Sequence, residues 1–98
     1  MKPRLVFRPQ AEAELLDGRR WYDERRSGLG GAFAMAVSKA VAGIVEDPLT
    51  YPRVHGETRR ALVKRFPYAV YFRVLPDELV VLAVMHGRRH PRYWQSRR

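Results

Sequence analysis

The sequence predicts a small α+β domain of order β-α-α-β-β-β, in which a helical hairpin packs on a mainly antiparallel sheet. Three observations predict it. Two consecutive segments between residues 9 and 47 repeat apolar or small residues with helical spacing. After residue 59, three segments read as strands, one of them cleanly alternating and one apolar on both faces. A short β-branched and aromatic segment precedes the helices. The 98 residues are taken as a single domain, 1–98. A chain of this size buries roughly two thirds of the surface that it exposes when unfolded, so one core suffices without staples.

Each element has its own justification. Arg4-Leu5-Val6-Phe7-Arg8 is the first strand. Pro9 stands where a first helical turn tolerates a missing N–H, and Glu12 and Glu14 follow where the helix dipole favours acids. Ala11, Leu15, Gly18 and Tyr22 form one helical face, bordered by Trp21. Arg19, Arg20, Arg25 and Arg26 come late in this helix, and Ser27-Gly28 ends it. The second helix starts between Leu29 and Ala32. Its stripe is Phe33, Val37, Ala40 and Ile44, widened by Ala36, Val41 and Val45. Asp47 before Pro48 is driven out of helical geometry and stops it. "DPLTYPRVHGE" reads as a loop, Arg60–Arg65 as a strand and Phe66-Pro67 as a tight turn. Tyr68–Leu75 puts Val70, Phe72 and Val74 on one face, with Tyr71 and Arg73 on the other. Pro76-Asp77 turns the chain into Leu79–Met85, whose two apolar faces mark a central strand, ended by Gly87.

Composition narrows the function. Cysteine is absent, which excludes disulfides and zinc-thiolate sites. The apolar run near the start, Leu5-Val6-Phe7, is too short for a secretory segment. No apolar run approaches a membrane span; Leu79–Met85 has the length of a strand. A cytoplasmic location with no membrane partner is the expectation. Net charge is +9, and residues 56–98 hold +7 of it against +2 for residues 1–55. The second half should therefore meet something acidic: nucleic acid, a nucleoprotein or an acidic protein segment.

The basic stretch "MHGRRHPRYW" holds two of the three histidines. His55, His86 and His90 are the histidines. His86 and His90 are four apart, but Gly87 and Pro91 oppose the helix that would align them, and Arg88 and Arg89 repel a cation. No metal and no cofactor are expected. Gly28, Gly30 and Gly31 lack the spacing and the lysine of a phosphate-binding loop.

The segments "FRPQAEAELLDGRRWYDE", "DPLTYPRV", "RRALVKRFPYAVYFRV" and "VVLAVMHGRRHPRYW" together resemble the toxins of type II toxin–antitoxin modules. They are most similar to the ParE branch of the ParE/RelE superfamily, often labelled plasmid stabilisation proteins. The likeness runs over nearly the whole chain in order, and "RFPY", "VYF" and a distal "HGRR" carry it. It implies a ParE/RelE toxin-like fold and a bacterial toxin neutralised by a cognate antitoxin, whose C-terminal segment wraps across it. It also implies a toxin–antitoxin hetero-oligomer on operator DNA, held there by the antitoxin. ParE-type members are associated with inhibition of DNA gyrase; RelE-type members cleave messenger RNA on the ribosome.

Two chemistries therefore compete. Metal-free RNA cleavage needs a base, an acid and cations for the phosphate charge. His86 and Tyr93 are the proton-transfer candidates, with Arg60, Lys64, Arg73, Arg88 and Arg89 as phosphate clamps. The middle strands, "FPYAVYFRV", instead follow the ParE-like pattern, which favours a non-enzymatic inhibitor with the ribosome-dependent endoribonuclease as the alternative. For target binding the candidates are Arg88, Arg89, Arg92, Tyr93 and Trp94, side chains favoured at interface hot spots. For antitoxin binding they are Leu16, Trp21 and Tyr22 with the exposed side of the strand Tyr68–Leu75, Tyr71 among it, as an apolar groove, and Arg60 with the other basic residues of the second half as its rim. The plain alternative for Trp21 and Tyr22 is core packing between the helices.

Overall fold

A computed structural model of the chain describes residues 3–87. The elements run β1 (Arg4–Phe7), α1 (Pro9–Arg25), α2 (Leu29–Glu46), a 3-10 turn (Pro48–Thr50), β2 (Arg53–His55), β3 (Thr58–Leu62), β4 (Tyr68–Val74) and β5 (Glu78–His86). One sheet has the order β1-β5-β4-β3-β2. β1 lies parallel to β5, and every other pairing is antiparallel. The expected architecture is therefore observed, with β5 in the interior of the sheet between β1 and β4.

The helices form as their sequences dictate. Pro9 opens α1, and Arg26 N–H donates to the Tyr22 carbonyl at its end. Gly28 adopts φ 89, a left-handed conformation that glycine enters at no steric cost, and caps α2. The Gly30 N–H in the first turn of α2 donates to Asp23 Oδ1 at 2.7 Å, so α1 supplies the side-chain cap for its partner helix. Gly18 lies against Phe33, where a β-carbon would meet the ring at 2.7 Å. The missing side chain lets the two helices approach closely.

The main core lies between the hairpin and one face of the sheet. Ala11, Phe33, Val37, Val41 and Ile44 from the helices meet Ala61, Val63, Val70, Phe72, Leu79, Val81 and Val84. By length and mean hydropathy, 1.4 over its 18 residues, α2 is apolar enough to cross a membrane, which corrects the expectation that no segment is. In the fold that apolarity serves the stripe it buries on the sheet.

Three local differences from the expectation have physical reasons. The loop after α2 contains β2, which pairs with β3 through an irregular register; three residues flanked by Pro52 and Gly56 are too few to show alternation. The strand expected over Arg60–Arg65 is shifted to Thr58–Leu62, which leaves Lys64 and Arg65 in the turn before β4. In β5, Tyr71 faces Ala83 while Phe72 faces Val81, so Leu82 is an extra residue that changes the alternation.

Beyond the bulge, α1 meets a need of β5. β1 extends along β5 only as far as Val81. The Val84 N–H beyond it donates to Glu14 Oε1 of α1 at 3.0 Å. Glu14→Leu leaves this N–H without an acceptor and should cost about 1–3 kcal/mol. Glu14→Gln keeps an acceptor oxygen and should cost much less. Urea midpoints of the two variants, compared at equal m, test the difference.

Candidate binding surfaces

The described candidates fall on two sides of the sheet. β4 alternates: Tyr68, Val70, Phe72 and Val74 face the helices, while Ala69, Tyr71 and Arg73 face away. The cross-strand register carries these faces to the neighbours. Arg60 is opposite Tyr71, Leu62 is opposite Ala69, and His86 is opposite Tyr68.

On the helix side, a ring cluster builds the end of the core. Tyr22 packs on Phe33, Phe66 and Tyr68 at centroid distances of 5.2, 4.9 and 6.1 Å. Tyr68 in turn meets Phe33 at 4.8 Å and His86 at 5.5 Å, both edge-on. Tyr22 is thus largely a packing residue. Trp21 is not: it stands 46% exposed, edge-on to Tyr22, with the Arg25 guanidinium carbon 3.5 Å above its ring centre. Leu16, 58% exposed, lines a shallow open depression on α1 with Arg19, Arg20, Asp23 and Glu24. Leu16 and Trp21 are therefore accessible apolar side chains with basic neighbours, the composition expected of a surface for an amphipathic segment.

Burial and the adjacent Tyr68 push the Tyr22 phenol above its ordinary value. The unfolded chain gives up this proton at the usual phenol pKa while the folded chain still holds it. Stability from this group is present below that range and is lost as pH climbs through the folded value. Tyr22→Phe removes the titrating group, so its urea midpoint should fall less steeply with alkaline pH than that of the parent.

On the far face, Ala69, Tyr71, Ala83 and Met85 form a second cluster. This corrects the expectation that the side of β4 away from the helices is exposed: Tyr71 is only 5% exposed. All four side chains are buried, so the face is not an open groove. Around it Arg60 and Leu62 are exposed on β3. Arg73 is half-buried, and among the described residues its Nε is buried without a hydrogen-bond partner.

The described site residues therefore do not all converge. Leu16, Trp21 and Tyr22 belong to the hairpin side, whereas Arg60 and Tyr71 belong to the opposite face. Of the proton-transfer and phosphate-clamp candidates, His86 faces the helices at one end of β4, and Arg73 faces away, five positions along the strand from Tyr68. That spacing is roughly 17 Å. Lys64 lies in the β3–β4 turn near the His86 end. Arg88, Arg89, Arg92, Tyr93 and Trp94, with His90, lie outside the described residues. Sequence reading missed Glu14 and Arg65: the first looks like a helix-dipole acid, and nothing in the residue type marks the second as a turn position.

The family model described as the ParE toxin of the type II toxin–antitoxin system, parDE, matches residues 5–91. Among solved structures, a chain of the chromosomal ParDE TA system from P. aeruginosa superposes with a TM-score of 0.78 at 17% identity. That match covers 87% of this chain and 96% of the other. At such identity the likeness bears on the fold. No curated protein sequence matches.

Proposed function

Since the chain belongs to the ParE toxin family of type II toxin–antitoxin systems, we propose that it inhibits growth by binding and poisoning DNA gyrase. A toxin of this family implies an antitoxin partner, and we infer that the partner neutralises it by covering the toxin with its C-terminal segment. The observation that carries the binding reading is the separation of two of the chemical groups. His86 packs edge-on against Tyr68 on the helix side, and Arg73 stands on the other face at the far end of β4. General acid–base chemistry requires its groups within hydrogen-bond reach of one substrate. Groups on opposite faces of a sheet cannot share one scissile phosphate, whereas a grip on a large partner uses a broad surface.

Antitoxin recognition divides in the same way. An apolar helix face suits Leu16 and Trp21, and an extended acidic piece suits Arg60 on the far side of the sheet. One chain that uses both must pass around a sheet edge, which is a wrapping mode of binding. Operator DNA would be reached through the antitoxin's own DNA-binding part, and the work of the toxin is cytoplasmic.

Expression of the chain without its antitoxin tests the reading, with gyrase supercoiling and transcript integrity followed in parallel. Loss of supercoiling and DNA breaks with intact transcripts support it. Codon-associated cuts in transcripts, abolished by replacing His86 or Tyr93, would overturn it in favour of ribosome-dependent cleavage. A chain truncated after Gly87 lacks Arg88, Arg89, Arg92, Tyr93 and Trp94; it should lose toxicity and keep antitoxin binding.

A further inference from the structure

We propose that the β3–β4 turn, together with the C-terminal end of α1, is a docking surface for the phosphate backbone of duplex DNA, centred on Lys64 and Arg65. The starting observation is Arg65. It has φ 73 and is the one non-glycine residue in the left-handed region among the described residues. For a residue with a long side chain this conformation is unfavourable, and glycine or asparagine would relieve it. The turn is held by hydrogen bonds that do not need an arginine: Val63 N–H donates to the Tyr68 carbonyl at 2.9 Å, and Tyr68 N–H to the Phe66 carbonyl at 2.8 Å. Arg65 is exposed, and among the described residues its side chain makes no ion pair and no hydrogen bond; the same is true of Lys64 and Arg26. A strained position occupied by an unpaired cation points to a contact outside the fold.

The surroundings supply the rest of the surface. Phe66, next to Arg65, meets Tyr22 at 4.9 Å, and Tyr22 meets Trp21 at 4.9 Å. The turn therefore sits beside the end of α1, which carries Arg25 and Arg26. Of the nearby acids, Asp23 and Glu24 are both exposed, and Asp23 also accepts from the Gly30 N–H. The exposed residues of the turn are Lys64, Arg65 and Pro67, with no large apolar side chain among them. A protein interface would place an apolar or aromatic centre in the turn itself; the exposed Trp21 lies at its border, on the surface assigned above to the antitoxin. A single strand would need an open ring on which to stack bases, but Trp21 is covered by Arg25 on one face, and Tyr22, Phe66 and Tyr68 are drawn into the core cluster. Unpaired cations without a stacking platform suit a duplex backbone, where charge alone gives affinity and no sequence is read. The inference does not rest on gyrase as the target: duplex binding can fail while gyrase inhibition stands, and the reverse.

The test uses the purified full chain and a short labelled DNA duplex of random sequence, followed by fluorescence anisotropy over a salt series. Lys64→Gln and Arg65→Gly should each lower the slope of log affinity against log salt by about 1. Arg65→Gly should melt at the same or a higher temperature, because glycine relaxes the turn; should it melt lower, Lys64→Gln alone decides. Arg53→Gln on β2, outside the surface, should leave the slope unchanged. Slopes equal to the parent's in the two turn variants would overturn the proposal, as would an equal drop with Arg53→Gln, which would mean undirected attraction. A loss seen only for single-stranded RNA, or only for a polyglutamate probe, would also overturn it.

Discussion

Phe33→Ala should remove about 3–5 kcal/mol of folding free energy. Phe33 is fully buried, it seats on Gly18 of α1, and its ring touches Tyr22, Phe66 and Tyr68. Truncation would leave a void bounded by three aromatic rings and a glycine, none of which can extend into it. Domains of this size have total stabilities of about 5–15 kcal/mol, so the variant should sit close to the edge of unfolding at ordinary temperature. Phe33→Leu fills most of the volume and should lose far less. Chemical denaturation followed by circular dichroism measures both. A loss under about 1 kcal/mol for the alanine variant would mean that the aromatic cluster is not close-packed.

Gly30→Ala should destabilise the fold by about 1–3 kcal/mol or more through overpacking, although alanine is the better helix former by about 1 kcal/mol. A β-carbon at Gly30 would overlap the Arg19 carbonyl oxygen and lie 2.7 Å from Asp23 Oδ1. A backbone carbonyl cannot step aside, and displacing Asp23 would also break its bond to the Gly30 N–H. The neighbouring Gly31 has open space around its missing side chain, so Gly31→Ala should raise stability by about 0.5–1 kcal/mol. Adjacent glycines in one helix turn should thus respond with opposite signs in paired thermal melts. The same sign at both positions would show that the hairpin is not held at this separation.

Particular residues show how much of this could be read in advance. The buried faces of both helices were legible, because a 3.6-residue repeat places Ala11, Leu15, Gly18 and Tyr22 on one side whatever they meet. The interior position of β5 was legible from apolar residues on both of its faces. β2 was not, since three residues between a proline and a glycine carry no period. Lys64 and Arg65 looked like the end of a strand; the left-handed turn has no signature when arginine occupies a position suited to glycine. The candidate binding residues were named individually, yet their division between two faces was hidden. It depends on which strand pairs with which, and on the extra residue at Leu82.

By itself the amino-acid order determined the types of the elements other than β2, the helix faces that turn inward, the uneven charge and the toxin-family likeness. These follow from short-range periodicity, backbone preferences and residue chemistry. Tertiary structure alone decided that Glu14 satisfies Val84, that Asp23 caps α2, that Arg65 occupies a strained turn beside the end of α1, and that His86 and Arg73 are parted by the sheet. Each of these depends on a register or a contact between distant parts of the chain, and the free energy that selects such pairings is spread over the whole core, so no local stretch of sequence carries it.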